Sequence, residues 1–503
     1  MARDEVIAAE MPAARLAGAV DTRPAARFAL FILVALVLRW PVLGDWNWYS
    51  DDQFYALVGQ RMAAGDLLYV DIWDRKGPAL FALYALIAMV SHAPLAWQLA
   101  AALAAAAGAC WVYALSRLIG GRRGAFMAAT AYLALMIRFD GSTGEAAVFY
   151  NPLMMLAAWS VATRLDALRT GTLPLRVVAG MAAAGLAIAF KPTALFESLW
   201  FGATIAVLLW RSGMAPGRLV AALAMAALAG SLPWLLTGLW YLHLGHFADL
   251  WQATVASNFH RQNLHPHERT MRALALLGQL GLPILCAVLG EADRRRTQAQ
   301  PSPALRFLFG WCLVSFGAVL GYPNIFTNYA LPMLAPLCVL GVGFYQQRSI
   351  APLLLAAIVI SSLAFAHIYE LPTRWRARTQ LAAFERHVRA ETPHRRLLVI
   401  GHTSLLYARI GARPPSILAF PRHLYDGAEA GSSGIDEVAE MRRILAARPE
   451  TVVIQDPLRA NPVNEANLAA VNAYVRRCRT VRAFALSDKD GPVTQTVYSR
   501  CAP

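Results

Sequence analysis

Two neighbouring acids, Asp51 and Asp52, are the strongest candidates for chemistry in this sequence. They lie between Ser50 and Gln53 in a pattern typical of a capping box, which predicts a helix with Ser50 as its N-cap. A carboxylate in the first turn of a helix is favoured in its charged form, and it is able to accept a proton from an attacking hydroxyl or amine. Acids at this position also stabilise helices that have no catalytic role. The pattern alone leaves both interpretations open.

Two lysines beside prolines form the second candidate group. Lys76 is followed by Gly77 and Pro78 at the start of an apolar run, and Lys191 stands between two apolar stretches. A compact ammonium group suits the oxygens of a lipid phosphate. The alternative for Lys76 is an interfacial anchor built from Trp, Tyr, Lys and Arg side chains. For Lys191, the long apolar flanks favour a buried or phosphate-paired role.

Three further polar clusters lie between apolar stretches. They contain Asp140 and Glu145, then Arg261, His265 and His267, and finally Asn328 and Tyr329. Polar groups at the ends of membrane spans are costly to keep, which makes them functional candidates. Two histidines two residues apart are able to chelate a metal, but this spacing is not a zinc pattern. A tyrosine at the end of a span is also a common interfacial anchor.

The elements that position these residues are predominantly membrane-spanning. Of the 503 residues, 57% are hydrophobic and only 15% are charged, and the mean hydropathy is +0.43. Segments of about 20 apolar residues cross a bilayer, and we predict about eleven spans by that criterion. They are placed at 27–44, 94–118, 124–139, 146–163, 175–190, 193–210, 219–243, 271–290, 304–322, 329–346 and 350–368. The net charge of +15 comes largely from arginine clusters between these runs, so no nucleic-acid partner is expected.

The short turns that follow alternate spans are basic, which is the signature of cytoplasmic loops. We therefore predict a bacterial inner-membrane protein with a cytoplasmic N-terminal segment, residues 1–26, that is retained as no cleavage site follows it. The transmembrane domain is predicted over residues 27–370, with a long first outer loop at 45–93. Within that loop, residues 50–65 and 78–90 are expected to form helices that lie on the membrane surface or are half inserted.

Residues 371–503 read as a small extracytoplasmic, or periplasmic, α/β domain. Strands are expected at 397–401, 451–456 and 494–499, and helices at 435–447 and 466–477. Cys478 and Cys501 lie in this domain, where an oxidising compartment would allow one disulfide; the sequence leaves that pairing open. The other four cysteines fall within predicted spans and are read as small buried side chains.

Taken together, the motifs resemble the GT-C membrane glycosyltransferases of the protein O-mannosyltransferase and lipid A aminoarabinose transferase type. The residues that carry the resemblance are, in order, Asp51-Asp52-Gln53-Phe54-Tyr55-Ala56, then Tyr69 with Asp71-Ile72-Trp73-Asp74-Arg75-Lys76-Gly77-Pro78, Glu145, Ala189-Phe190-Lys191-Pro192 and Tyr329-Ala330-Leu331-Pro332-Met333-Leu334-Ala335-Pro336. They span residues 45–345.

The resemblance implies an α-helical polytopic fold and an inverting transfer from a polyprenyl-phosphate sugar. The acceptor would be an envelope glycolipid, a glycan or a protein. The catalytic pair would be Asp51, as the base, and Asp52. The predicted donor- and phosphate-binding residues are Lys76, Asp74, Lys191, Tyr329, Glu145 and Arg261.

The sequence departs from the family pattern at three positions. An Asp-Asp pair replaces the common Asp-Glu, and Lys-Gly-Pro replaces Lys-Pro-Pro. Some members bind a metal through a glutamate before the lysine, and here Arg75 stands there, so no metal ligand is assigned although a divalent metal stays open. The alternative function is a lipid-linked-sugar flippase or secondary transporter, but neither paired repeats nor broken helices are evident in the sequence.

Overall fold

The computed structural model of the chain describes residues 24–260, 265–297, 300–322, 324–459 and 462–501. It is mostly helical, and a small sheet lies near the C-terminus. The helices up to the last apolar stretch are α1 (Pro24–Arg39), α2 (Ser50–Ala63), α3 (Pro78–Val90), α4 (Pro94–Ser116), α5 (Arg122–Arg138), α6 (Ala146–Ala162), α7 (Leu165–Arg169), α8 (Leu175–Phe190), α9 (Leu195–Arg211), α10 (Pro216–His243), α11 (Phe247–Trp251), α12 (Ser257–His260), α13 (Pro266–Gln279), α14 (Gly281–Thr297), α15 (Pro303–Gly321), α16 (Leu331–Leu340), α17 (Val342–Gln347) and α18 (Ala351–Phe365).

The apolar helices form a bundle suited to a membrane. Within the described ranges, five helices are long and apolar enough to cross a bilayer, and a sixth span results if α13 and α14, which meet at 59°, are counted as one. The other five predicted spans coincide with α5, α6, α8, α16 with α17, and α18, which are shorter. The number of crossings stays a prediction. The bent α13–α14 pair is a broken span or a re-entrant loop, a feature that was not evident in the sequence.

The first outer loop contains two short helices that pack together. Phe54 of α2 lies between Phe81 of α3, at 6.4 Å between ring centroids, and Phe420 of the C-terminal domain, at 5.0 Å. Helix α2 is therefore covered on its outer side and does not lie on an open membrane surface. The predicted cap is wrong by one residue, because Tyr49 is the N-cap and no side chain caps the helix. Helix α3 has 13 residues, about 20 Å, and is too short to cross the bilayer.

The C-terminal domain begins with α19 (Leu371–Glu391) and continues with an α/β arrangement, as predicted. Its remaining helices and its strands are β1 (Leu397–Ile400), α20 (Leu406–Ile410), α21 (Arg422–Tyr425), α22 (Glu437–Ala446), β2 (Thr451–Asp456), α23 (Glu465–Val475), β3 (Thr480–Asp488) and β4 (Gly491–Ser499). The sheet order is β1-β2-β4-β3, with β1 and β2 parallel and the other pairs antiparallel. Strand β3 was missed from the sequence. Cys478 and Cys501 form a disulfide, which resolves the open pairing.

The C-terminal domain is held on the first loop by buried polar contacts. The guanidinium of Arg374 lies 4.6 Å from the centre of the Trp48 ring, and Arg75 forms an ion pair with Glu429. The backbone N–H of Lys489 donates to the carbonyl of Trp48 at 2.9 Å. These contacts place the domain directly over the first turn of α2, where Asp51 and Asp52 lie.

Candidate active site

The first cluster at the end of the bundle consists of Asp51, Lys76 and Tyr55. The ammonium of Lys76 lies 3.6 Å from Oδ2 of Asp51 and 5.0 Å from the centre of the Tyr55 ring. The hydroxyl of Tyr55 lies 3.1 Å from the same carboxylate oxygen. Asp51 and Lys76 keep about a fifth of their side-chain surface exposed, 21% and 18%. The structure thus brings together a reachable acid and a reachable cation that the sequence had only proposed separately.

Local backbone contacts fix Lys76 in place. The carboxylate of Asp74 accepts a hydrogen bond from the Lys76 backbone N–H at 2.7 Å, and the hydroxyl of Tyr69 donates to the Lys76 carbonyl at 2.7 Å. Asp74 also lies 3.8 Å from the Lys76 ammonium. Asp74, which was predicted to bind the donor, therefore orients the lysine through its main chain and its charge.

Gly77 joins this cluster to the next one. Its backbone N–H donates to the carbonyl of Phe190 at 3.2 Å, and a Cβ added to Gly77 would overlap the carbonyl oxygen of Ala189. Proline has no N–H to make the first contact and glycine alone has no Cβ to prevent the second. The departure from Lys-Pro-Pro therefore has a structural reason, since it lets the loop approach the residue before Lys191.

The second cluster consists of Glu145, Lys191, Asn328 and Tyr329. Oε1 of Glu145 lies 3.4 Å from the Lys191 ammonium and accepts a hydrogen bond from the Asn328 side chain at 3.2 Å. Lys191 also lies 4.8 Å from the centre of the Tyr329 ring. Glu145 is fully buried. Its other oxygen lies 3.1 Å from the hydroxyl of Tyr55, so this tyrosine connects the two clusters.

The charges at the first cluster favour an ionised acid. Burial opposes ionisation of Asp51, but Lys76 and the Tyr55 hydroxyl outweigh it, and the pKa of Asp51 is lowered. Burial likewise opposes the charged form of Lys76, yet Asp74 and Asp51 raise its pKa. Asp51 is therefore a carboxylate able to accept a proton, beside a cation able to contact an anion.

Asp52 points away from the lysines. Its Oδ2 accepts hydrogen bonds from the indole N–H of Trp97 at 3.2 Å and from the backbone N–H of Gly144 at 3.4 Å. Burial raises the pKa of Asp52 to about 7. Since Gly144 directly precedes Glu145, this arrangement favours a role for Asp52 in positioning the second cluster.

A small cavity of about 30 Å³ lies beside Lys191 and Tyr329, and its lining includes Glu197, which the sequence reasoning missed. Oε1 of Glu197 accepts hydrogen bonds from the indole of Trp311 at 3.1 Å and from the hydroxyl of Ser315 at 2.7 Å. The available signal was a single acid in an otherwise apolar span, which is a functional candidate by default.

Residues of the C-terminal domain also reach the site, and none of them was predicted. Arg422 lies close enough to contribute to the lowered pKa of Asp51. His423 packs edge-on against Trp73 at 4.8 Å, and burial lowers the pKa of this histidine to about 3, so it is neutral. No local sequence pattern identifies such residues, because tertiary packing alone brings them near α2.

Two predictions remain, for Arg261 and for the histidines that follow it. Arg261 lies outside the described residues. His265 caps α13, where its Nδ1 accepts from the backbone N–H of His267 at 3.4 Å. Across the described ranges, no three His, Cys, Asp or Glu side chains are grouped so that they could hold a metal ion. Arg75, at the position where some members of the family that the sequence resembles have a metal-binding glutamate, forms an ion pair with Glu429.

The comparisons with known proteins bear on the fold. No protein-family model and no curated protein matches the chain. The solved structures that are similar include ArnT, a lipid A aminoarabinose transferase from Cupriavidus metallidurans, in the apo state, with a TM-score of 0.56 and 14% identity over 93% of this chain and 97% of that one. ArnT bound to undecaprenyl phosphate matches with a TM-score of 0.50, 15% identity and the same two coverages. The oligosaccharyltransferase AglB from Archaeoglobus fulgidus matches with a TM-score of 0.45 and 12% identity over 86% of this chain and 69% of its own length. The chain is therefore a mostly helical protein with an ArnT-like fold, and several of its helices are long and apolar enough to cross a membrane.

Proposed function

We propose that the chain is an inverting glycosyltransferase that moves a sugar from a polyprenyl-phosphate donor to a hydroxyl or amine of an envelope glycolipid, glycan or protein. The observation that carries the proposal is that Lys76 and Lys191 each pair with an acid, Asp51 and Glu145, and that the hydroxyl of Tyr55 joins the two pairs. Two ammonium groups suit a phosphate, and a neighbouring ionised carboxylate suits a base. The similarity to ArnT bound to undecaprenyl phosphate supports the same class of donor.

The reaction would follow from the positions of these charges. Lys76 and Lys191 hold the donor phosphate, while Asp51 takes the proton from the acceptor hydroxyl or amine. The acceptor oxygen or nitrogen then forms a bond to the anomeric carbon as the bond from that carbon to the phosphate oxygen breaks. The polyprenyl phosphate leaves with the electron pair, and the lysines stabilise its charge. One displacement inverts the anomeric centre. Asp52 keeps the Gly144 turn in place and is assigned a positioning role.

The site is proposed to face the periplasm of a bacterial inner membrane. The basic turns support this orientation, because Lys and Arg concentrate in cytoplasmic loops. The C-terminal domain and the first loop, which lie together in the structure, would then be on the periplasmic side, with the N-terminal segment in the cytoplasm.

The experiment is a direct assay of donor binding and transfer. The purified full chain in lipid nanodiscs is tested for binding of undecaprenyl phosphate, and envelope lipids and glycans are compared by mass spectrometry in cells with and without the chain. We expect saturable binding and a mass difference of one sugar that Asp51→Asn abolishes, although the variant still inserts and folds. Full transfer by Asp51→Asn would refute the assignment of the base.

A flippase is the second candidate, because α13 and α14 form a bent helix pair at 59° and broken helices are common in transporters. Vesicle flux of a lipid-linked sugar without any covalent product would favour this function over transfer.

A further inference from the structure

A groove of about 690 Å³ runs between α5 and α18 on the outside of the helical bundle. Its walls are mostly apolar and include Phe126 and Met127 of α5, together with Leu355 and Ile360 of α18. The volume lies within the range of about 300–1,000 Å³ that is typical of ligand sites. Unlike the cavity of about 30 Å³ beside Lys191, this groove has room for a hydrocarbon chain.

The groove lies at the end of the bundle opposite the candidate active site. Helices α5 and α18 run in the same direction, because their last residues are in contact: the guanidinium carbon of Arg138 lies 4.0 Å from the centre of the Phe365 ring. Asp140, two residues beyond α5, lies 3.2 Å from Lys489 of the C-terminal domain. The groove is lined instead by the first half of α5, residues 123–130. It is therefore separate from the two lysine clusters.

The groove has the length of one leaflet of a bilayer. Its lining rises about 10 Å along α5, from Arg123 to Thr130, and about 12 Å along α18, from Pro352 to Ile360. One leaflet contributes about half of the roughly 30 Å of hydrocarbon in a membrane. The groove therefore matches an acyl chain of one phospholipid.

Arg123 stands at one end of the groove and is the one charged side chain among the described residues that line it. It is exposed, and across the described ranges its guanidinium forms no ion pair or hydrogen bond. Other cations at this end of the bundle are engaged, since Arg117 donates to the carbonyl of Gly120 at 3.1 Å and Arg348 pairs with Asp293 at 2.6 Å. A phosphate would give the Arg123 guanidinium a partner of matching geometry.

The headgroup must supply the selectivity of such a site. Bilayer lipid is as apolar as the groove, so covering the groove with a particular chain yields little net free energy. Basic pockets between helices on the cytoplasmic side bind anionic headgroups, and the cytoplasmic leaflet is negatively charged. A zwitterionic headgroup carries its own cation, which competes with Arg123 for the phosphate. An anionic phospholipid matches both the groove and its cation.

We propose that the groove binds one anionic phospholipid of the cytoplasmic leaflet, with the phosphate on Arg123 and one acyl chain between α5 and α18. The choice of leaflet rests on the orientation proposed above, whereas the groove and its cation do not depend on it. The lipid would hold α18 against α5. Because α18 is followed directly by α19 of the C-terminal domain, the bound lipid should stabilise the folded chain.

The test uses the full chain in detergent micelles with two probes, dioleoyl phosphatidylglycerol and dioleoyl phosphatidylcholine, which share their acyl chains and differ in net charge. Native mass spectrometry measures the retained lipid, and thermal melts measure the stabilisation that each lipid provides. We expect one tightly retained phosphatidylglycerol, bound about tenfold more tightly than phosphatidylcholine.

Two variants and two matched controls examine the cation and the groove separately. Arg123→Gln should remove the preference for phosphatidylglycerol, whereas Arg218→Gln, at an exposed arginine near the start of α10, should keep it. Ala356→Phe places a ring in the groove and should weaken retention of phosphatidylglycerol about tenfold, whereas Ala224→Phe, at an exposed alanine of α10, should not. Thermal melts without added lipid confirm that each variant folds.

Equal retention of the two lipids by the wild type would overturn the proposal, as would a preference that survives in Arg123→Gln or is lost equally in Arg218→Gln. Displacement of phosphatidylglycerol by an equal concentration of glycerol phosphate would show that the groove does not hold the chain, which also contradicts the proposal. Binding of undecaprenyl phosphate should be the same in Arg123→Gln and in the wild type, because Lys76 and Lys191 lie at the other end of the bundle. A parallel loss of that binding would place the polyprenyl lipid in the groove instead of a phospholipid.

Discussion

The two lysine clusters have the same components and different surroundings. Each pairs a lysine with an acid and places the ammonium over a tyrosine ring, with Lys76 and Asp51 at 3.6 Å and Lys191 and Glu145 at 3.4 Å. Asp51 keeps 21% of its side-chain surface exposed, whereas Glu145 keeps none. An incoming acceptor is able to reach the first acid only. Composition alone therefore does not choose between the two acids as the proposed base, whereas their burial favours Asp51.

Tyr55 connects the two clusters, but its hydroxyl can donate a hydrogen bond to only one of their acids at a time. Its hydroxyl lies 3.1 Å from both Asp51 and Glu145, but it carries one proton and donates to one carboxylate at a time. When Asp51 takes a proton from an acceptor, the hydroxyl is able to turn fully to Glu145. The comparison of the two clusters becomes testable by changing matching residues in each.

The largest effect on kcat is expected from substitution of Asp51, and substitution of Glu145 is the matched change in the second cluster. Asp51→Asn should lower kcat by about 10²–10⁴, the usual contribution of a general base. This variant should not weaken binding of undecaprenyl phosphate, because the Asp51 carboxylate no longer competes with the phosphate for the Lys76 ammonium. Glu145→Gln should lower kcat much less and should lower the melting temperature, because Lys191 loses its buried counter-charge. Transfer assays and thermal melts of both variants check this, and equal losses of kcat would refute the division of roles.

Variants of the two lysines should differ in thermal stability more than in binding of undecaprenyl phosphate. Lys76→Met and Lys191→Met should each weaken undecaprenyl phosphate binding about 10- to 100-fold, since hydrogen bonds to charged groups contribute about 1.5–3 kcal/mol. Lys191→Met leaves the fully buried Glu145 without its cation, whereas in Lys76→Met the buried Asp74 keeps its hydrogen bond from the backbone N–H of residue 76, so Lys191→Met should melt at the lower temperature. Binding titrations and melts in the same nanodiscs measure both quantities. A lower melting temperature for Lys76→Met alone would contradict the difference in burial.

The sequence predicted which residues meet at this site better than it predicted what surrounds them. Asp51, Lys76, Glu145, Lys191 and Tyr329 come together as the resemblance implied, because their motifs stand at the ends of helices that the apolar pattern already locates. The direction of each side chain could not be predicted, since Asp51 and Asp52 are neighbours in sequence and yet face different partners.

The α/β character of the C-terminal domain was predicted, but its contribution to the site was not. Strand β3 alternates poorly, since Arg482, Phe484 and Leu486 share one face, and the period-two signal is weak. Arg422 and His423 reach the first loop only through packing between residues more than 300 positions apart, which no local pattern encodes.

Gly77 controls the distance between the two clusters, so enlarging it should have a moderate effect on both. In Gly77→Ala the new Cβ would overlap the Ala189 carbonyl, and relieving this overlap should cost about 1–3 kcal/mol and move Lys76 away from Lys191. We expect transfer to fall about tenfold, which corresponds to about 1.4 kcal/mol. Gly202→Ala in α9 is the matched control, because nothing lies within 4 Å of its added Cβ. Equal activities of the two alanine variants would show that the close approach at Gly77 is unimportant.

The smallest effect on transfer is expected from Asp52→Asn, since Asp52 reaches the second cluster only through its hydrogen bond from the backbone N–H of Gly144. The folded-state pKa of Asp52 is about 7, above that of an ordinary aspartate, so the protonated form stabilises the fold below about pH 4 and this contribution is lost as the pH rises through about 7. An asparagine amide resembles the protonated acid and still offers an oxygen to the donors of Trp97 and Gly144. We therefore expect the melting temperature of the wild type to fall between about pH 4 and pH 7 relative to that of Asp52→Asn. Transfer at neutral pH should change by about threefold or less, well below the effect of a lost general base.

A loss of transfer in Asp52→Asn as large as that in Asp51→Asn would show that Asp52 takes part in the reaction. A melting temperature that depends on pH in the same way in Asp52→Asn and in the wild type would show that Asp52 is not the titrating group.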